Sequence, residues 1–367
     1  MRVTVLSHDL SSNASMRGHR LAKALEPRFE VSLIGPVRKE RFWPALPREP
    51  WLHGVPKTRF PKFADSFLEL VERADGDVLI ASQPHLASFG AALVAGERRG
   101  VPIVLDMVDL ETALAPRSTW GSNPSLADPR RPGSALYASL LSRAVGVAAE
   151  ITVVSTTLQQ RFGGTLVPHA ADARLFDPAK VDREKARAAF GFDGPTIVFP
   201  GTPRAHKGMS VLAEAMAEVP GAELAVTTRN GTDLDGREWK GVPLRQLPLL
   251  PYSQLPSLLA AADVVAIPQL DSEPARHQVP MKVVDAMAMA KPIVATAVSD
   301  LPSMLDGCGR VVPSGDAQAL ATAIAELVAD PEQARTLGRR ARERCLERYT
   351  LERVGEAMSE VVRRAVR

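Results

Sequence analysis

The chain has 367 residues, 45% of them apolar and 24% charged, an ordinary globular composition that excludes long disordered regions and suits two domains better than one. A net charge of +3, from 45 basic and 42 acidic residues, gives no bulk-charge argument for nucleic acid, and no such partner is expected. Two cysteines, Cys308 and Cys345, and seven histidines without ligand spacing point away from a disulfide framework or a zinc site, so neither metal nor cofactor is expected, and the compartment reads as reducing and cytoplasmic.

Met1-Arg2 runs straight into a strand pattern at 3–7, which leaves no room for a signal peptide. Further short apolar runs at 31–34, 78–81, 103–106 and 151–154 read as strands of a buried parallel sheet, with helical patterns at 15–25, 64–73 and 86–99 between them. Residues 37–63 carry seven basic and two acidic residues, with Phe42, Trp43, Trp51, Phe60 and Phe63 interleaved. Five prolines there exclude a continuous helix, so the segment reads as a long loop. Basic residues beside aromatics suit an anionic ligand or peripheral contact with a membrane surface; the alternative is a solvated loop with its aromatics in the core. The longest apolar region, 135–158, is broken by Arg143 and Glu150 and does not read as a bilayer span.

Residues 167–180 lack a clear period and read as an interdomain connection between domains at 1–166 and 181–350. A second series follows, with strands at 196–199, 223–226, 244–247, 264–267 and 293–296. Helices are predicted at 207–217, 253–261, 280–289, 316–328 and 332–345, and a final one at 351–366. Two such series imply an α/β protein of two doubly wound, Rossmann-like domains facing one another across a cleft, with ligands beyond the carboxyl ends of the strands.

The loop after the first strand of the second domain, Pro200-Gly201-Thr202-Pro203-Arg204-Ala205-His206-Lys207-Gly208, is the most informative. Gly201 permits a tight turn, and Arg204 and Lys207 can pair with phosphate oxygens; taken alone, such a pair is more often a solvated basic loop, and the following segment changes that balance. Residues 272–288 open another helix at the same sheet edge, with Val279 leading into Pro280 at the expected first helical position. The amides of Met281 and Lys282 offer a second anion site, the Lys282 side chain reads as a solvated face, and Asp285 one turn on can accept from a sugar diol. In the first domain, Ser11 and Ser12 follow strand 3–7, and Asp106 and Asp109 close strand 103–106, either as polar caps or as functional groups. Asp233-Leu234-Asp235 has the form of a metal–nucleotide D-x-D motif but lies in a polar loop and is set aside.

These motifs resemble the retaining glycosyltransferase family 4, the group 1 glycosyltransferases, over nearly the whole chain. The family's G-x5-K-G loop is matched by Gly201 to Lys207-Gly208, its interdomain stretch by Pro168-His169-Ala170-Ala171-Asp172 with Phe176, and its signature helix by residues 283–296. The resemblance implies the GT-B fold, and a last helix, 351–367, that packs back onto the first domain. Of the family's E-x7-E pair, the second glutamate maps onto Asp285 and the first onto His277, which leaves Glu273 or Arg276 to stand in for a sugar contact. Thr202 replaces the usual arginine after the loop glycine, leaving that task to Arg204. The family's His-Asp pair appears as Val108-Asp109, with Asp109 retained.

The activity implied is transfer of a sugar from a nucleoside-diphosphate sugar to a hydroxyl of a small-molecule, glycan or lipid acceptor, with retention. Arg204, Lys207 and Asp109 are the catalytic candidates. Asp285 would anchor the ribose, and Leu250-Pro251-Tyr252 would flank the base. The rivals are a nucleotide-sugar epimerase on the same scaffold and a non-catalytic nucleotide-sugar-binding relative.

Overall fold

The computed structural model describes residues 1–204, 207–228, 239 and 241–367. The chain divides into two compact units, one made of Met1–His169 with Leu351–Arg367, the other of Ala170–Thr350. The change of unit falls between His169 and Ala170, inside the segment read as a connection. Residues 170–180 are integral to the second unit: Phe176 is fully buried, the Ala171 amide donates to the Tyr349 carbonyl at 2.7 Å, and Arg342 pairs with Asp177 at 3.0 Å.

The first unit holds seven parallel strands: β1 (Arg2–Ser7), β2 (Glu30–Val37), β3 (Leu52–Pro56), β4 (Val78–Ser82), β5 (Ile103–Met107), β6 (Glu150–Val153) and β7 (Thr165–Leu166). Their order is β3-β2-β1-β4-β5-β6-β7. The central strands bury nearly every side chain, as a parallel sheet covered on both faces requires, and this is why they read as unbroken apolar runs. Asp106 is the exception inside β5. It is fully buried, and Arg17 of the helix Ser15–Leu25 meets it in a two-pronged pair, Nε–Oδ2 3.0 Å and Nη2–Oδ1 2.8 Å. Thr152 of β6 donates to it at 2.8 Å, and the guanidinium also donates to the carbonyls of Val167 and Pro168 at 2.8 and 2.7 Å. Asp106 is therefore a structural group.

The reading of 37–63 as a loop is corrected: β3 lies within it and pairs in parallel with β2, from Leu33↔Leu52 to Val37↔Pro56. An edge strand tolerates the proline because one side of its backbone needs no partner. The aromatics of this segment follow the alternative in which the rings turn to the protein. Trp43 and Phe63 are buried, while Phe42, Trp51 and Phe60 are part-covered, with Trp51 bonded to Glu26 and Phe42 under Arg48. Among the described residues no helix is long and apolar enough to cross a membrane. The helix predicted at 86–99 opens instead with a π turn, Leu86–Gly90, before Ala91–Arg99.

The helix Leu351–Ala365 packs in the first unit through Val354, Met358, Val361 and Val362, and Arg364 pairs with Glu150 at 3.0 Å. Gly355 sits so close to the first helix that an added Cβ would collide with the Ala24 carbonyl oxygen. Gly355→Ala is thus expected to destabilise this unit by about 1–3 kcal/mol, since overpacked backbone cannot give way cheaply. Urea unfolding checks it; an unchanged midpoint would show that the helix is only loosely seated.

Among the described residues the second unit has six parallel strands, β8 (Thr196–Phe199), β9 (Glu223–Thr228), β10 (Leu244–Pro248), β11 (Val264–Ile267), β12 (Ile293–Thr296) and β13 (Arg310–Val312), ordered β10-β9-β8-β11-β12-β13. The helix Met281–Ala288 starts one residue later than predicted. Pro280 has an extended ψ of 121° and is its cap, not its first turn.

Candidate functional site

In the second sheet the chain leaves β8 toward β9 and later returns to the other side of β8 as β11, so β8 and β11 form the switch point where open sheets hold ligands. The loop after β8 supplies Gly201, Arg204 and Lys207, and the segment after β11 supplies Gln278 and the helix Met281–Ala288. Gly208, at φ +72°, presses on the end of β11. An added Cβ there would overlap the Pro268 carbonyl oxygen, so only glycine lets the two segments approach this closely.

Two lysine side chains converge at this edge. Lys207 Nζ donates to Gln278 Oε1. Lys282 Nζ lies 3.4 Å from the centre of the Phe199 ring, and 3.0 Å from where a side chain on Gly201 (φ +148°) would begin. The expectation that Lys282 faces solvent is therefore wrong, because the Phe199 ring and the absent Gly201 side chain make a slot that draws the lysine inward. Burial, and then the neighbouring Lys207 ammonium, holds the Lys282 amine well below the usual lysine range. A signal was available: Lys282 stands three residues before Asp285, hence on the same helix face. Asp285 itself is buried one turn into the helix, behind the buried Val279 and Pro280 and the part-buried Met281.

The other predicted residues of this unit are not all brought to that point. Arg204 is exposed. Glu273 and Arg276 are exposed on a short helix, Glu273–Arg276, and Arg276 is engaged by Asp271 through Nε–Oδ1 at 2.5 Å and Nη2–Oδ2 at 3.0 Å. That contact holds Arg276 above and Asp271 below their ordinary pKa ranges. His277 Nδ1 donates to the Glu273 carbonyl at 2.8 Å. Leu250 and Tyr252, expected to flank a base, are buried, with the Tyr252 ring edge-on to Phe176 at 5.4 Å. Asp233 and Asp235 lie outside the described residues, as do Ala205 and His206.

The first unit has its own switch point, between β1 and β4. Beyond β1, Ser11 accepts from the Arg38 amide at 2.7 Å, its own amide donates to Asp9 at 2.9 Å, and Ser12 offers its carbonyl to Ser15 at 2.7 Å. Beyond β5, Asp109 is part-buried and takes a 3.4 Å contact from the Gln83 amide.

A family model described as "Glycosyl transferases group 1" matches residues 194–330, a span that holds Gly201, Arg204, Lys207, Lys282 and Asp285. Over that span the chain is similar to the group 1 glycosyltransferases. A curated relative, D-inositol 3-phosphate glycosyltransferase 1 of Catenulispora acidiphila, is 25% identical over 308 residues, covering 76% of this chain and 70% of that protein. The sucrose-phosphate synthase of Thermosynechococcus elongatus superposes with a TM-score of 0.76 at 20% identity, over 100% of this chain and 99% of that one. HepE of Anabaena, solved with UDP-glucose, does so with a TM-score of 0.73 at 18% identity, over 99% of each. This glycosyltransferase thus has the GT-B fold, two parallel-sheet α/β domains, and the clustered lysines lie in its family-matched span.

Proposed function

We propose that this glycosyltransferase takes its sugar from a nucleoside-diphosphate sugar and passes it, with retention and without a metal, to an acceptor hydroxyl. The observation that carries the reading is the convergence of Lys207 and Lys282 beside Gly201 at the β8/β11 switch point. Two ammonium groups so placed disfavour one another until an anion lies between them, and a diphosphate supplies that charge. The UDP-glucose complex of HepE and the glycosyl-transfer name of the inositol-phosphate relative support it. The epimerase alternative finds no support in the family match or these relatives.

In the reaction the bond from the anomeric carbon to the leaving phosphate oxygen breaks, and a bond from that carbon to the acceptor oxygen forms on the same face. The hydroxyl proton passes to the departing diphosphate. Lys207, Lys282 and the exposed Arg204 meet the charge that grows on the leaving group, and the Met281 amide at the helix start adds a donor. Asp285 receives ribose hydroxyls, His277 and Glu273 stand toward the sugar, and Asp109 serves the acceptor side.

A thermal-shift panel of UDP, GDP and ADP with their sugars tests the donor. A true ligand at about 100 times its dissociation constant stabilises the fold by roughly 2.7 kcal/mol. Binding should also take up protons at pH values between the lowered Lys282 pKa and the ordinary lysine range, because a bound anion raises that pKa again. Calorimetry in buffers of different ionisation enthalpy reads this uptake. No shift with any nucleotide would reject the diphosphate site.

A further inference from the structure

Among the described residues, three cations gather around one carboxylate at the amino ends of β8, β11 and β12, the edge of the second sheet opposite to Lys207 and Lys282. Asp263 stands just before β11, and Lys291 stands two residues before β12. Arg183 and Arg187 come from the helix Arg183–Phe190. Arg183 Nη2 donates to Asp263 Oδ1 at 2.5 Å, Arg187 Nη1 donates to Oδ2 at 3.0 Å, and the Thr196 amide also reaches Oδ2 at 2.8 Å. Both carboxylate oxygens are thereby taken. Lys291 Nζ donates instead to the Ala260 carbonyl at 3.2 Å, an oxygen that also accepts from Arg183 Nε at 3.3 Å.

A lysine and a guanidinium thus share one carbonyl oxygen, and the charge left unbalanced is that of the lysine. Burial first, then Arg183, outweighs the pull of Asp263 and, with Arg187, brings the Lys291 pKa down to about 8. A lysine desolvated beside other cations keeps part of its amine unprotonated and nucleophilic. Lys291 is only part-buried and the Arg183 side chain is 43% exposed, so the amine is open to a small reagent from solvent. The group that suits this place is one that becomes an anion on reaction. An acetyl group would remove the lysine charge and still leave two guanidiniums against one carboxylate, whereas carbon dioxide supplies a second carboxylate.

We propose that Lys291 is a carbamylation site for carbon dioxide, with the carbamate held by Arg183 and Arg187. The amine lone pair forms a bond to the carbon of carbon dioxide, one C=O π pair moves onto oxygen, and the nitrogen gives a proton to water. No oxidant or reductant enters. The product keeps one N–H for the Ala260 carbonyl, and its carboxylate takes guanidinium hydrogens that Asp263 leaves over. Two guanidiniums then stand against two carboxylates, which closes the charge of the cluster. The inference does not depend on the sugar donor.

The test incubates the full chain at about pH 8 with isotopically labelled bicarbonate, traps carbamates with triethyloxonium ion and locates the label by peptide mass. Lys185, whose side chain is 86% exposed, is the reference. Lys291 should carry more than about ten times the label of Lys185, because an ordinary lysine is almost wholly protonated at that pH. The carbamate carbon signal of the labelled chain should vanish in Lys291→Arg. Arg183→Gln, which can still donate to Asp263 but carries no charge, should cut the Lys291 label by about threefold, the scale of a part-exposed charge pair. Its fold is checked by circular dichroism, and high salt in the parent chain, which screens the same guanidinium, should lower the label without any substitution. Label at Lys291 no greater than at Lys185 overturns the proposal, as does label undiminished by both Arg183→Gln and high salt.

Discussion

Replacing Lys282 by methionine is expected to slow sugar transfer by about 100- to 1,000-fold while leaving the fold at least as stable. The ammonium lies against the Phe199 ring in a slot that burial and Lys207 make unfavourable for a charge. Methionine keeps most of the apolar stem and removes that charge, so folding has little to lose. Catalysis has much to lose. A preorganised cation beside a leaving diphosphate needs no reorganisation as charge develops, and removing one such donor typically costs about 2.7–4 kcal/mol of transition-state stabilisation. Lys207→Ala should fall in the same range. Arg204→Ala should cost less, because Arg204 is exposed and water can replace much of what it offers. Steady-state turnover together with urea unfolding of each variant separates the two effects. Near-parental turnover in Lys282→Met would remove the basis for the site.

Arg17→Met should behave in the opposite way, lowering stability by about 3–5 kcal/mol. Its guanidinium is the main partner of the fully buried Asp106 carboxylate, and it also serves the Val167 and Pro168 carbonyls. Without it, Asp106 keeps the Thr152 hydroxyl, and the two carbonyls lose the guanidinium donor. Adding Asp106→Leu to Arg17→Met should recover much of the loss, since removing both partners of a buried pair is far cheaper than removing one. Urea denaturation of both variants checks this. A single variant that loses less than about 1 kcal/mol would show that the pair is dispensable.

Much of the architecture was legible because buried parallel strands are continuous apolar runs between turn residues. The strands 196–199, 264–267 and 293–296 and the helix 15–25 have the bounds that their patterns predicted. The strand β3 was not legible, since Leu-His-Gly-Val-Pro buries one side chain of five and so carries almost no period. The short β13 and the two-residue β7 fail for the same reason. At the candidate site, Gly201, Lys207 and Asp285 could be found from loop position and spacing. Spacing from Asp285 gives the helix face of Lys282, but the slot that draws it inward is made by the Phe199 ring and the missing Gly201 side chain, both far earlier in the chain. Likewise, Thr196, Asp263 and Lys291 meet only because the sheet order sets β8, β11 and β12 side by side. No local pattern encodes that adjacency.

The closing of the first unit by Leu351–Ala365 has a consequence for how the protein is made. The strands β1 to β7 leave the ribosome long before the helix that covers the first helix of their unit, with residues 170–350 synthesised in between. At about 5–20 residues per second, that interval is roughly 10–35 s. During it, the contiguous second unit can complete itself, while the earlier-made first unit waits with the groove beside Ala24 unfilled. Birth order and finishing order are therefore reversed in this chain, and the incomplete first unit is where a nascent-chain chaperone would be needed.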